Sequence, residues 1–374
     1  MLWLIIIIII IIICIDLRAI SVSKIVVHFM SSNSDNVLPE KFITIDGHKI
    51  KYLDYTRQLK RYYNRYPIVV LLHGLGASSE RWLKIVHILS KYFRVVIPDI
   101  IGFGDSDKPP TMKYDMVHFT GFLQTFLEKL HIDRPIICGH SFGGQLAAEF
   151  AIRFHDQVEK LILIAPAGPR RRTTSIFYQY VTAAVQPTCE HIYEAFRNMA
   201  FNPNIVTRYD ILDFKRRMNL VYAKFAFMCT MLGIENAQAL TGRLSRVASP
   251  TLIVWGENDK MTPYQEYLRE YHEIPEKYIQ ILNHCGHTPF VEKPINFNAI
   301  LLKFLAGKDF YPLLFRQMTD DDREKEKNLH ICAECHQCSQ CGCLVWCPPD
   351  RCLYDLKTFR IPKCKRCQGY WTDP

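Results

Sequence analysis

Six short apolar runs punctuate the chain, at residues 68–72, 94–97, 136–138, 160–164, 251–255 and 278–282, with helix-forming stretches between them. Runs this short, rich in branched aliphatic residues, suit strands buried on both faces, as in a parallel sheet covered by helices. Upstream, Ile43, Ile45, Ile50 and Tyr52 alternate about Asp46-Gly47 and read as a hairpin that supplies two further strands. The expectation is an α/β fold built on a mostly parallel eight-stranded sheet. From Gly168 to about residue 248 bulky apolar residues continue without a strand signal, which reads as an inserted helical cap.

The strand at 136–138 leads into Gly139-His140-Ser141-Phe142-Gly143-Gly144 and then the helix-forming run Gln145 to Ala151. A serine on so sharp a strand-to-helix turn has its hydroxyl exposed, and the flanking glycines remove the bulk that the turn cannot accommodate. The helix behind it favours negative charge at its N-terminus. After the strand at 68–72 stands His73-Gly74-Leu75-Gly76, placed so that the backbone amides of Leu75 and Phe142 would face one carbonyl oxygen. The side chain of His73 is expected to be structural.

A serine hydroxyl is a weak nucleophile at neutral pH and needs a base, and the base needs an acid to hold its tautomer. Asp259 follows the run at 251–255 and His287 follows the run at 278–282, which completes the chain order Ser141, Asp259, His287. Asp99, Asp105 and His284 are the alternatives. Asp99, in the Pro98-Asp99-Ile100-Ile101-Gly102-Phe103-Gly104-Asp105-Ser106 turn, is expected to organise that turn instead.

These motifs, in this order, resemble the α/β-hydrolase fold-1 family over residues from about 41 to 308. The resemblance implies hydrolysis of a carboxylic ester, with monoacylglycerol lipase-like enzymes, carboxylesterases and carbon–carbon bond hydrolases as similar branches. Epoxide hydrolases and haloalkane dehalogenases carry aspartate at the nucleophile position, so Ser141 argues against both. Relatives with acyltransferase activity show His-x-x-x-x-Asp, whereas Glu292 follows His287 here, which leaves transfer unsupported. No cofactor is expected for catalysis. The cap is rich in Phe177, Tyr180, Phe196, Phe227, Met228 and other oily side chains, a lining suited to a lipid ester, although such stripes also serve as core. The carbon–carbon hydrolase and a non-catalytic ligand-binding scaffold are the rival readings.

Outside this region the sequence divides into an apolar segment 1–29, a polar lead-in 30–40, a charged linker 309–329 and a cysteine-rich tail 330–374. Residues 1–15 are an almost unbroken apolar run dominated by isoleucine, shorter than the roughly 20 residues that span a bilayer comfortably, and read as an anchor, a signal peptide or an extension upstream of Met30. The anchor reading implies a membrane-associated protein with a cytosolic catalytic domain; a start at Met30 implies a soluble cytoplasmic one. In the tail, Cys332, Cys335, Cys338, Cys341, Cys343, Cys347, Cys352, Cys364 and Cys367 include repeated two-residue gaps, from Cys332 to Cys341 and at Cys364-x2-Cys367, that suit structural zinc, with disulfides as the rival, and the tail could recruit a protein partner. The net charge of +9 is spread through residues 1–308, because the remaining chain holds ten basic and ten acidic residues, so nucleic acid binding is not expected.

Overall fold

The computed structural model describes residues 40–55, 67–168 and 174–316. β1 (Glu40–Ile45) and β2 (His48–Tyr55) form the expected hairpin. Both turn residues take positive φ, 49° at Asp46 and 82° at Gly47, which matches the twist a two-residue hairpin requires. β3 (Ile68–Leu72), α1 (Leu83–Leu89), β4 (Arg94–Pro98), α2 (Met116–Lys129), β5 (Ile136–His140), α3 (Phe142–Arg153) and β6 (Lys160–Ile164) follow in alternation. β7 (Thr251–Gly256) and β8 (Lys277–Leu282) complete one eight-stranded sheet in the order β1-β2-β4-β3-β5-β6-β7-β8.

β2 pairs antiparallel with β4, and the pairings from β4 through to β8 are parallel. Each helical crossover must lie on a sheet face, so the central strands are covered twice; β4 and β5 are buried at every position. The chain runs from β3 outward to β4 on one side and then returns to β5 on the other. The loops after β3 and β5 therefore diverge at the carboxyl ends of adjacent strands, where open α/β sheets leave a crevice.

α2 starts at Asp115, whose side chain accepts from the His118 amide, and turns Met116, Phe119, Phe122, Leu123, Phe126 and Leu127 inward at helical spacing. α3 has little exposed face, since every residue from Phe142 to Ile152 is buried. Between β6 and β7 come α4 (Ser175–Val185), α5 (Cys189–Met199), α6 (Arg208–Met218) and α7 (Ala223–Glu235), with no strand among the described residues there. Thr174, Thr188 and Thr207 cap the first three of these helices by accepting from the third amide of each. α8 (Tyr264–Tyr271) follows β7, α9 (Pro289–Glu292) and α10 (Pro294–Arg316) follow β8, and α10 continues past residue 308.

Among the described residues no helix is long and apolar enough to cross a membrane. The longest, α10, is interrupted by Lys303, Lys308, Asp309 and Arg316. This corrects the membrane-associated location expected above; the segment 1–29, on which it rested, lies outside the described residues. The zinc expectation falls outside the described residues. No group of three or more His, Cys, Asp or Glu could hold a metal among the described residues, and Cys332, Cys335, Cys338, Cys341, Cys343, Cys347, Cys352, Cys364 and Cys367 lie outside them. Cys138, Cys189, Cys229 and Cys285 are free thiols.

Candidate active site

Ser141 joins β5 to α3 with φ 52° and ψ −117°, a strained conformation for any residue with a Cβ. The surrounding packing holds it there. Its amide donates to Ile164 O (3.0 Å) on β6, and its carbonyl accepts from Gln145 N (3.0 Å) and Ala167 N (2.9 Å). A Cβ on Gly139 would lie 2.1 Å from Gly143 O, and one on Gly143 would lie 2.3 Å from Leu72 O, so neither glycine can be replaced without moving backbone. The two expected glycines are thus required by close approach of the helix start to the ends of β3 and β5.

The loop after β3 lies against this turn. A Cβ on Gly74 would sit 3.3 Å from Ser141 Cβ, which brings the Gly74-Leu75 backbone beside the nucleophile candidate. Phe142 is the first residue of α3, and its amide is one of the four that no helix can satisfy internally. His73 is structural as expected. Its Nδ1 donates to Gly74 O (2.8 Å) and its Nε2 accepts from Ile100 N (3.0 Å), roles that together require a neutral ring. Burial holds its pKa down to about 4.

Asp259 and His287 are brought together at the carboxyl ends of the adjacent strands β7 and β8, with His287 Nδ1 2.8 Å from Asp259 Oδ2. Both are buried. Asp259 is held by its own turn: Oδ1 accepts from Met261 N (2.8 Å) and Thr262 N (3.0 Å), and Oδ2 from Thr262 Oγ1 (2.9 Å) and Trp255 Nε1 (3.1 Å). A carboxylate can only accept, so Nδ1 carries the proton and Nε2 is left with a lone pair, the state a base needs. His140, next to Ser141, reaches across to His287. Its Nε2 donates to His287 O (2.8 Å), with ring centroids 4.8 Å apart, and burial pushes its pKa well down.

The alternative acids and base are engaged elsewhere. Asp99 accepts from Ser79 N (2.6 Å) and Asp105 N (2.8 Å), which makes it the turn organiser expected. Asp105 pairs with Arg216 (2.8 Å) and Lys51 (3.4 Å), and these charges hold its carboxyl down at about 2 against the opposing effect of burial. The ring of His284 packs on Phe201 at 5.2 Å.

Sequence reasoning missed three supporting groups. Trp255 and Thr262 brace Asp259, and only a histidine-facing carboxylate makes their positions meaningful. Glu292 Oε2 accepts from Gly286 N (3.0 Å) and from Phe201 N (2.8 Å) after α5, while Oε1 accepts from Thr288 N (3.3 Å). The His287 amide donates to Met199 O (3.1 Å). The loop that carries His287 is therefore fastened to the end of a cap helix, a contact between residues far apart in sequence.

The sequence profile of the α/β hydrolase fold family matches residues 67–294. A 2-hydroxy-6-oxo-2,4-heptadienoate hydrolase of Pseudomonas putida is 27% identical over 250 residues, covering 64% of this chain and 90% of that one. An uncharacterized protein of Mycobacterium tuberculosis is 28% identical over 265 residues, covering 64% of this chain and 75% of that one. Among solved structures, a membrane phospholipase A described as a bacterial virulence factor shares the fold with TM-score 0.62 and 24% identity, over 78% of this chain and 96% of its own. A meta-cleavage product hydrolase from Pseudomonas fluorescens does so with TM-score 0.62 and 24% identity, over 72% and 97%.

Proposed function

Since the chain belongs to the α/β hydrolase fold family across residues 67–294, we propose that it is a serine hydrolase that cleaves the carboxylic ester of an apolar, lipid-like substrate. The observation that carries this reading is the buried Asp259–His287 hydrogen bond, which leaves the Nε2 lone pair of His287 as the base for a serine held on a strained turn. In this mechanism Ser141 Oγ gives its proton to His287 Nε2 as it attacks the ester carbonyl, and Asp259 stabilises the imidazolium. The Leu75 and Phe142 amides hold the oxyanion. Its collapse expels the alcohol, which takes the proton from His287, and water then repeats the sequence on the acyl-enzyme. The steps require no cofactor.

Two features support an uncharged, oily substrate over a dienoic acid. The buried cations Lys51 and Arg217, near the loop after β3, are matched by Glu80, Asp105 and Asp213, so neither is left over for a substrate carboxylate. The cap aromatics Phe214 and Phe227 lie directly over Gly76, where they form an apolar wall. The relatives that act on dienoates favour the second reading, carbon–carbon bond cleavage, which would use the same serine and histidine. Comparing kcat/KM for a chain-length series of esters with that for a 2-hydroxy-6-oxo-dienoate decides between them. Preference for the esters, rising with acyl length, is expected; preference for the dienoate overturns the ester reading.

A further inference from the structure

His287 stands in the loop 283–288 between β8 and α9, and its ring is tied to Asp259 through Nδ1. One hydrogen bond at a ring nitrogen is a pivot. The ring can swing about it and carry Nε2 away from the serine it serves, and a misplacement of about 1 Å at a reacting group can cost on the order of 10² in rate. The backbone at His287 supplies the second fixed point.

Both peptides that meet at the His287 Cα are held. On the N-terminal side the His287 amide donates to Met199 O (3.1 Å), at the end of the cap helix α5. On the C-terminal side the His287 carbonyl accepts from His140 Nε2 (2.8 Å), and the amide of the same peptide, Thr288 N, donates to Glu292 Oε1 (3.3 Å). The plane before the Cα sets φ and the plane after it sets ψ, so these bonds together fix where the Cα–Cβ bond of His287 points. Glu292 reaches further. Its Oε2 accepts from Gly286 N (3.0 Å) and Phe201 N (2.8 Å), and its Oε1 also accepts from Thr288 Oγ1 (3.3 Å). A carboxylate can take all of these donors without presenting one of its own. The approach is close, since a Cβ on Gly286 would lie 2.4 Å from Met199 O and 2.9 Å from Glu292 Oε1.

We propose that Glu292 is a positioning residue for the base: it acts on the reaction through His287, by locking the Cys285–Gly286 and His287–Thr288 peptides that bracket it. This rests on the serine-hydrolase reading above. Because Oε2 is shared between Gly286 N and Phe201 N, the same carboxylate registers the histidine loop against the end of the cap helix.

The test is Glu292→Gln in the full chain, which keeps the length of the arm but turns one acceptor into a donor that must face either the Gly286 and Phe201 amides or the Thr288 amide. Active sites are titrated with a fluorophosphonate, and kcat and KM are measured per titrated site on a chromogenic butyrate ester beside a thermal melt. The expected result is a fall in kcat of about tenfold with KM within about twofold. Glu292→Asp, which keeps the charge on an arm one methylene shorter, should show the same effect at smaller size, and it carries the test if the glutamine variant does not fold. The decisive measurement repeats either change in a chain that already carries His287→Ala. There the residual hydrolysis per folded chain should be unaltered, because a group that acts through the histidine has nothing left to act on. A further loss in that background overturns the assignment, as does an unchanged kcat per titrated site with only a lower melting temperature in the single variants. A wild-type chain that takes no label overturns the serine-hydrolase reading instead, so the two failures are distinct.

Discussion

The turns after β4 and β7 look alike in sequence, each placing an aspartate just past a buried strand, yet the two carboxylates have different partners. Asp99 spends both oxygens on backbone amides of its own neighbourhood, Ser79 N and Asp105 N, and a Cβ on Gly104 would lie 2.2 Å from it. Asp259 gives Oδ1 to its own turn but directs Oδ2 to the ring of His287 on the next loop. Strand adjacency makes the difference. β7 and β8 are neighbours, so their terminal loops touch, whereas β4 lies between β2 and β3 on the far side of β5. A buried carboxylate after a strand becomes a brace or part of a site according to which loop lies beside it.

The largest effect should come from removing the group that Asp259 and His287 are arranged to serve. Ser141→Ala is expected to lower ester turnover by about 10⁶ and abolish fluorophosphonate labelling, with an unchanged melting temperature. Retained labelling would move the nucleophile elsewhere.

Exchanging the acids tests the comparison directly. Asp259→Asn should reduce kcat by about 10⁴, because an amide no longer enforces the tautomer with a lone pair on Nε2. Asp99→Asn should instead cost about 1–3 kcal/mol of stability, since one of two buried amides loses its charged acceptor, with turnover changed by less than about tenfold. Denaturant unfolding and kinetics on both variants read this out, and the reverse pattern would exchange the roles of the two turns.

The His73 ring beside Asp99 gives the β4 turn a pH signature. Its pKa is about 4 in the folded chain, lowered by burial from the ordinary 6.5. Between these values the unfolded chain binds a proton that the folded chain does not, so stability is full above pH 6.5 and falls as pH drops towards 4. Urea titrations at pH 5 and pH 7 should show this loss, and it should be shallower in His73→Gln. An equal slope in the variant would place the proton uptake on other groups.

The smallest effect belongs to the attachment of the cap to the same turn. Arg216 forks onto Asp105 at 2.8 and 3.2 Å, but its side chain is 49% exposed. Solvent screens such a pair, and Arg216→Ala should cost less than about 1 kcal/mol, a difference that shrinks further in high salt. A larger loss would mean that the β4 turn is held from above by the cap as well as by Asp99 from within.

The strand runs, the hairpin turn at Asp46-Gly47, the glycine-flanked Ser141 and the order of Ser141, Asp259 and His287 were all legible in the amino-acid sequence, because each is a local pattern. Burial on two faces selects branched aliphatics, positive φ selects aspartate-glycine, and a crowded turn excludes side chains. Which of several carboxylates faces the histidine was decided by strand order, through the adjacency of β7 and β8. The helical insertion was visible as a gap in the strand rhythm, but its contacts were not. Tyr180 reaches Leu75 and Met199 accepts from His287 across about a hundred residues of chain. Neither bond has a local signature, since a tyrosine or a carbonyl at the end of a helix looks the same in sequence whether it faces water or an active-site loop. Only packing the cap over the strand ends selects those partners.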